Sequence, residues 1–193
     1  FDRWRDRTGG ALDASAEHVS RVWRAAEARQ ELPTRAALQT AVDGVRRPHW
    51  HLDAAAGTAT HTSTIPLALN SFTKSFIVDR AARAALAIGG VDAVVVNAGG
   101  DLVARGAWTE IVGITDPRRN ADNAPPLTHV AVRDRAVATS GSYRRGFDIG
   151  GRHYSHIVDP SMGEPTSQIA SATVVAPSAV DACALATALG VHS

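Results

Sequence analysis

Cysteine and lysine each occur once in the 193 residues, as Cys183 and Lys74. A lone cysteine rules out an internal disulfide and, by itself, a thiolate metal cage. A surplus of charge is also missing, since 20 Lys plus Arg stand against 19 Asp plus Glu. That is not the excess with which a chain grips a phosphate backbone or an anionic membrane, so nucleic acid is not an expected partner. No apolar run reaches the length of a membrane span, because Gly89, Gly90, Asp92 and Asn97 break the richest stretch. Neither a strand, GxGxxG, helix unit nor a Walker loop is present, which removes the two commonest nucleotide folds. Internal repeats and low-complexity tracts are lacking too.

The length suits a single domain spanning 1–193 with a sizeable core. The chain opens on FDRWRDRTGG, which reads as the tail of a helix already in progress. An N-terminally incomplete domain is therefore expected, and both an extracytoplasmic, membrane-anchored location and a cytoplasmic one stay open. Helices are expected over DASAEHVSRVWRAAEAR from Asp13, over TRAALQTAVDG with Thr34 as N-cap and Gly44 as stop, and over SAVDACALATALG. Another is expected from about Lys74 after an irregular entry, with Ile77, Ala81, Ala84, Ala85 and Ile88 on its packed side, ending at Gly89-Gly90.

HWHLDAAAGTATH reads as an exposed-to-buried alternating hairpin around Gly57. VDAVVV reads as a buried strand, followed by LVARG and TEIVGIT in an antiparallel meander, and PRRNADNAPP as a loop. THVAV, AVATSGSY, GFDI, RHYSHIV and ASATVVA are further strands. Helices and strands come in blocks, so the fold class is α+β, mainly antiparallel sheet packed with helices.

Several short stretches could carry chemistry. RHYSHIV holds two histidines three apart. On a continuous strand His153, Ser155 and Ile157 share one side and Tyr154, His156 and Val158 the other, so the two rings would not chelate one ion. His156, shortly before Asp159-Pro160, either reaches a cleft or merely packs. NAGGD, Asn97 to Asp101, is a turn whose glycines permit positive φ or close approach to a ligand, and ATSGSY, with Ser140 and Gly141, is read as a second small-residue turn. Lys74 at a helix start, preceded by Ser71 and Thr73, is either a phosphate seat or a solvated lysine. Ser178 and Asp181 have the spacing of a capping box. Cys183 and Thr187, four apart, share a helix face and serve either packing or a ligand.

Taken in order, TGGALDAS, TKSFIVDRAA, NAGGDLVARG, ATSGSYRRGF, RHYSHIVDPSMGEP and TVVAPSAVDACALATAL resemble the ApbE-type FAD:protein FMN transferases over nearly the whole chain. The resemblance implies a T-fold-like α+β domain that binds FAD and Mg²⁺. It implies transfer of FMN from FAD onto a Thr or Ser hydroxyl of an acceptor protein, with release of AMP. By the same resemblance His156 is the candidate acid or base, and Asn97, Gly99, Gly100 and Asp101 border the flavin site. Ser140 and Gly141 form a neighbouring loop, Lys74 meets the phosphates, and Thr73, Thr187 and Cys183 occupy the metal-ligand positions.

The chain departs from that family at two places. Asn70, Ser71, Phe72, Thr73, Lys74 and Ser75 stand where the family shows Gly-Gly-x-Ala-Lys-Gly, with Ala68 in place of an upstream acid. Cys183 stands where the family carries the aspartate that holds magnesium, an ion that prefers hard oxygen ligands. Asp181 is about 200° around the helix from Cys183 and makes a poor stand-in. Two readings follow: an active transferase, or a catalytically impaired ApbE-like flavin- or partner-binding protein, with an FAD pyrophosphatase as a further variant.

Overall fold

The computed structural model describes residues 1–119, 121, 123–143 and 145–192, with Ser71 described by its backbone alone. Residues 120 and 122 of the PRRNADNAPP loop thus lie outside the described residues. Backbone contacts divide the chain into two compact units, Phe1–Ala68 with Gly146–Thr166, and Leu69–Arg145 with Ser167–Ser193.

Unit 1 begins with α1, Asp2–Arg7, the expected helix tail. Asp13 accepts from the Ser15 amide and starts a 3-10 turn at Ala14–Ala16, which runs into α2, Glu17–Arg29. Gln30 ends α2 in the left-handed region. Thr34 caps α3, Arg35–Val45, by accepting from the Ala37 amide at 3.2 Å. Gly44, read as a stop, lies inside α3. A Cβ there would sit 3.1 Å from the His18 ring and 3.3 Å from Ile65, so the glycine serves close packing.

Strands β1, Trp50–Asp53, and β2, Thr58–His61, form the expected hairpin, although most of its residues are exposed. A second hairpin pairs β8, Gly146–Ile149, with β9, Arg152–Ser155. Its inner side completes a core of Val19, Trp23, Ala26, Phe147, Ile149 and Val158. Trp23 stacks on Phe147 and Tyr154, with centroids at 6.1 and 5.2 Å, while its indole N–H donates to the Gly163 carbonyl at 2.9 Å. Glu27 and Gln30 hold the Asp148–Gly150 backbone from the end of α2.

The same unit carries a pH-sensitive group. Burial, followed by the charges of His49 and Arg21, holds the His18 imidazole below its ordinary value. The unfolded chain therefore takes up a proton at His18 before the folded chain does. The His18 contribution to stability is complete above about pH 6.5 and is lost as the pH falls from there through the lower folded value. His18→Gln is expected to flatten the loss of stability below that pH in urea unfolding, whereas parallel wild-type and variant curves would contradict the assignment.

Unit 2 is built on a four-stranded antiparallel sheet in the order β10-β7-β4-β3, comprising Ser171–Ala176, Arg135–Gly141, Asp101–Gly106 and Ala93–Ala98. The expected meander does not form. Strand β5, Glu110–Ile114, leaves the sheet and pairs with β6, Thr128–Val132, while β7 returns beside β4. β3 is an edge strand with alternating exposure rather than a fully buried one.

Two helices cover one face of this sheet: α4, Asn70–Leu86, and α5, Ala179–Val191. Val78, Ala82, Val103, Ala138, Ala176 and Ala182 fill the space between. Leu102, Ala104 and Val137 on the opposite face pack against Val132 of β6. α4 starts four residues before the expected Lys74, and its packed side is Ser75, Val78, Asp79 and Ala82. The expected stripe fails, because Ile77 is 58% exposed and Ile88 61%. Ser178 caps α5 by accepting from the Asp181 amide at 3.1 Å, as the capping-box spacing implied. Among the described residues no helix is long and apolar enough to cross a membrane.

Candidate functional site

Strand alternation decides which of the candidate residues can meet within unit 2. Asp101, Val103 and Arg105 point to the helix-covered face of β4, and Ser140 follows Ala136 and Ala138 on that face of β7. Asn97 and Gly141 alternate onto the other side.

Asp101 is 4% exposed, and its Oδ2 accepts from the Lys74 ammonium at 3.1 Å and from the Ser75 hydroxyl at 3.0 Å. Ser75, fully buried, also hydrogen-bonds with Cys183, which bonds in turn with Thr187 one helical turn on. Lys74, Asp101, Ser75, Cys183 and Thr187 therefore form one connected cluster. Lys74 is close to half exposed and has three donors to offer, so it can hold Asp101 and still meet an oxyanion from solvent.

Lys74 does not start its helix. It lies one turn inside α4 on the face of Asn70, and helical side chains lean toward the N-terminus. The ammonium is thereby carried back toward the first turn, where Leu69 provides no side-chain cap and the helix dipole favours an anion. Beside it opens a shallow depression of about 400 Å³, lined by Asn70, Thr73, Lys74, Ile77, Val78 and Ala98.

Gly99 and Gly100 form the two-residue connection of the β3–β4 hairpin, Ala98 facing Asp101, with φ of 57° and 94°. A type I′ turn needs positive φ at both positions, so the turn alone accounts for both glycines. The Asn97 side chain accepts from the Gly100 amide at 3.2 Å and locks the turn that begins β4 with Asp101. Ser140 and Gly141 are not a turn; they end β7, paired with Ala172 and Ser171. A Cβ on Gly141 would lie 2.8 Å from the Tyr143 ring.

His156 belongs to unit 1. The strand expected over RHYSHIV stops at Ser155, whose hydroxyl accepts from the Ile157 amide at 3.0 Å, and alternation is lost, since Ile157 and Val158 are both buried. His156 sits exposed in the resulting bend. The following residues fold back through a Val158–Pro165 bridge, with Asp159 accepting from the Ser161 amide and hydroxyl at 2.7 Å. His153 is exposed and paired through Nδ1 with Asp148 at 2.8 Å, which makes it a cross-strand partner.

The metal expectation meets an unsuitable donor set. Burial raises the Cys183 thiol above its ordinary value, and Asp101 adds to this, against the opposing effects of the Ser75 and Thr187 hydroxyls and the Lys74 charge. Cys183 is thus a neutral, soft donor. Thr73 lies inside α4, where its hydroxyl donates to the Leu69 carbonyl at 3.0 Å and its carbonyl faces the amide four residues on. Asp101 is already engaged by Lys74 and Ser75. These groups do not fit magnesium, which takes hard, preferably anionic oxygens. Among the described residues no group of three or more His, Cys, Asp or Glu is arranged for a metal ion.

Ser75 is the member of the cluster to which the sequence assigned no role. The available signal was its spacing with Asp79 and Ala82, a packed helical face carrying two polar groups, each of which requires a partner.

The chain's relatives agree with this fold. A model of the ApbE family matches residues 1–193. An FAD:protein FMN transferase of Treponema pallidum is 31% identical, in an alignment covering 95% of this chain and 55% of that protein. One from Klebsiella pneumoniae is 29% identical, covering 91% and 52%. The ApbE protein of Thermotoga maritima superposes with a TM-score of 0.85 at 28% identity, covering 98% of this chain and 62% of that one. The chain spans about half the length of the curated relatives it matches. With the family model matching its whole length, the chain belongs to the ApbE family.

Proposed function

We propose that the chain transfers FMN from FAD to a Thr or Ser hydroxyl of an acceptor protein, releasing AMP. The observation that carries this reading is the half-exposed Lys74 ammonium, held by Asp101 beside a depression with apolar walls. A dinucleotide with flat aromatic rings and a pyrophosphate matches that pairing of apolar surface and cation. In the proposed step the acceptor oxygen attacks the flavin-side phosphorus. The bond to the AMP phosphate breaks, AMP leaves with the electron pair, and the hydroxyl proton passes to a base.

Phosphoryl transfer of this kind asks mainly for positioning and for charge on the oxygens. Lys74 is assigned to the pyrophosphate, with the uncapped start of α4 adding its dipole. The Asn97-locked turn is assigned to the border of the flavin site, and Ser140 and Gly141 to the segment neighbouring it. His156, as an exposed imidazole, is assigned to the proton. No step is assigned to a metal.

The test incubates the full chain with FAD and a candidate acceptor, then reads flavin fluorescence on a denaturing gel. A fluorescent acceptor band that disappears when FMN replaces FAD is the expected result. An unlabelled acceptor at saturating FAD would remove the transferase reading and leave a flavin-binding protein, which the unsuitable metal donors favour.

A further inference from the structure

The two departures from the family pattern touch each other. Ser75 stands at the last glycine of the expected Gly-Gly-x-Ala-Lys-Gly stretch, and Cys183 at the expected metal aspartate, more than a hundred residues later in the chain. In the fold their side chains hydrogen-bond. The Ser75 hydroxyl also donates to Asp101 Oδ2 at 3.0 Å, so one serine ties the carboxylate to the thiol. A glycine at 75 would leave Asp101 without that donor and the thiol without that partner. An aspartate at 183 would bring a second carboxylate into a buried cluster that already holds Asp101, where like charges require an added cation.

We infer that Ser75 and Cys183 act as a pair that closes this cluster to divalent metal, so that the charge of a bound phosphate is met by the Lys74 ammonium instead. The geometry has the features of a self-satisfied centre. Lys74 supplies the positive charge of the cluster, Asp101 is its counter-charge at 3.1 Å, and the Ser75 hydroxyl occupies the same Asp101 oxygen at 3.0 Å on the side of Cys183. Ser75 is fully buried and Asp101 nearly so, which leaves a hydrated magnesium ion, with its shell of waters, no hard anionic ligand to replace them. The statement about phosphate rests on the flavin-transfer reading; the statement about metal does not.

The test is therefore made without FAD. Mn²⁺, as a paramagnetic substitute for Mg²⁺, is titrated into the full-length wild-type chain and followed by electron spin resonance of the free ion. No saturable site is expected at millimolar Mn²⁺. The paired reversal Ser75→Gly with Cys183→Asp is expected to create one site per chain, at least about tenfold tighter than any wild-type binding, and Mg²⁺ should then raise its melting temperature.

Saturable wild-type binding that Cys183→Ala removes would overturn the inference. A folded double variant that gains no site would overturn the role given to the pair. Should the aspartate variant fail to fold, Ser75→Ala and Cys183→Ala provide a second measurement. Their combined effect on the unfolding constant should depart about threefold or more from the product of the single effects, and a simple product would mean that the two residues do not act together. Failure of the metal titration leaves flavin transfer standing, and failure of acceptor labelling leaves the metal result standing.

Discussion

Arg105→Ala is expected to destabilise unit 2 by about 3–5 kcal/mol in urea unfolding, because it strands a buried carboxylate. Arg105 is 8% exposed and its Nη2 donates to Asp79 Oδ1 at 2.7 Å and to the Pro177 carbonyl at 2.8 Å. The other Asp79 oxygen accepts from the Ala179 amide at 3.3 Å, at the first turn of α5. One guanidinium thus joins β4 to α4 and to the segment that launches α5, with a carboxylate where the α5 dipole favours it. Arg83, 3.9 Å from Asp79 and largely exposed, is a weak substitute. Replacing Arg105 by Met and Asp79 by Leu together should recover most of the loss, since a buried pair exchanged for apolar groups is often neutral. A single-variant effect below about 1 kcal/mol would place this pair with surface ion pairs instead.

Lys74→Ala is expected to lower FMN transfer by about 10²–10³, the scale of removing one preorganised group from developing phosphate charge. The same change leaves Asp101 buried with only the Ser75 hydroxyl, so a fall in activity alone would be ambiguous. Asp101→Asn separates the two effects. In an Asp101→Asn background, removal of Lys74 should cost little stability, because no buried charge is left unpaired, yet transfer should still fall. Stability by urea unfolding and transfer by acceptor labelling would be measured on the same preparations. Restoration of transfer along with stability would show that Lys74 only neutralises Asp101.

Much of the architecture was legible from local pattern. Thr34 and Ser178 cap the helices they were expected to cap, and the Trp50–His61 hairpin has its expected pairing. α5 was recognisable as a dense apolar run, and it is buried on most sides. What escaped depends on residues distant in sequence. Ile77, Ala81, Ala84, Ala85 and Ile88 made an apolar stripe on the expected helix, but the side that packs carries Ser75 and Asp79, satisfied by Asp101 and Arg105. Periodicity cannot register a buried polar group whose partner lies 26 residues away.

The meander failed for a similar reason: β5 and β4 are consecutive, and only the pairing of β7 with β4 reveals that the sheet continues elsewhere. Before His156 a side-chain acceptor, Ser155 Oγ, ends the strand three residues short of Val158, where the alternating pattern would have carried it.

The site was legible as a set of residue types and only partly as a geometry. Lys74, Asp101, Cys183 and Thr187 were singled out from motifs far apart, and the fold joins them through Ser75. The double glycine at 99 and 100 was open to a ligand reading, but positive φ at both positions is what the hairpin itself requires.

Flavin transfer is tested most directly by mass spectrometry of an acceptor protein after incubation with the full chain and FAD, with AMP measured in the same reaction. Acceptor heavier by FMN less one water, with one AMP released for each labelled molecule, is the predicted result. AMP without labelled acceptor, or neither product at saturating FAD, would contradict it.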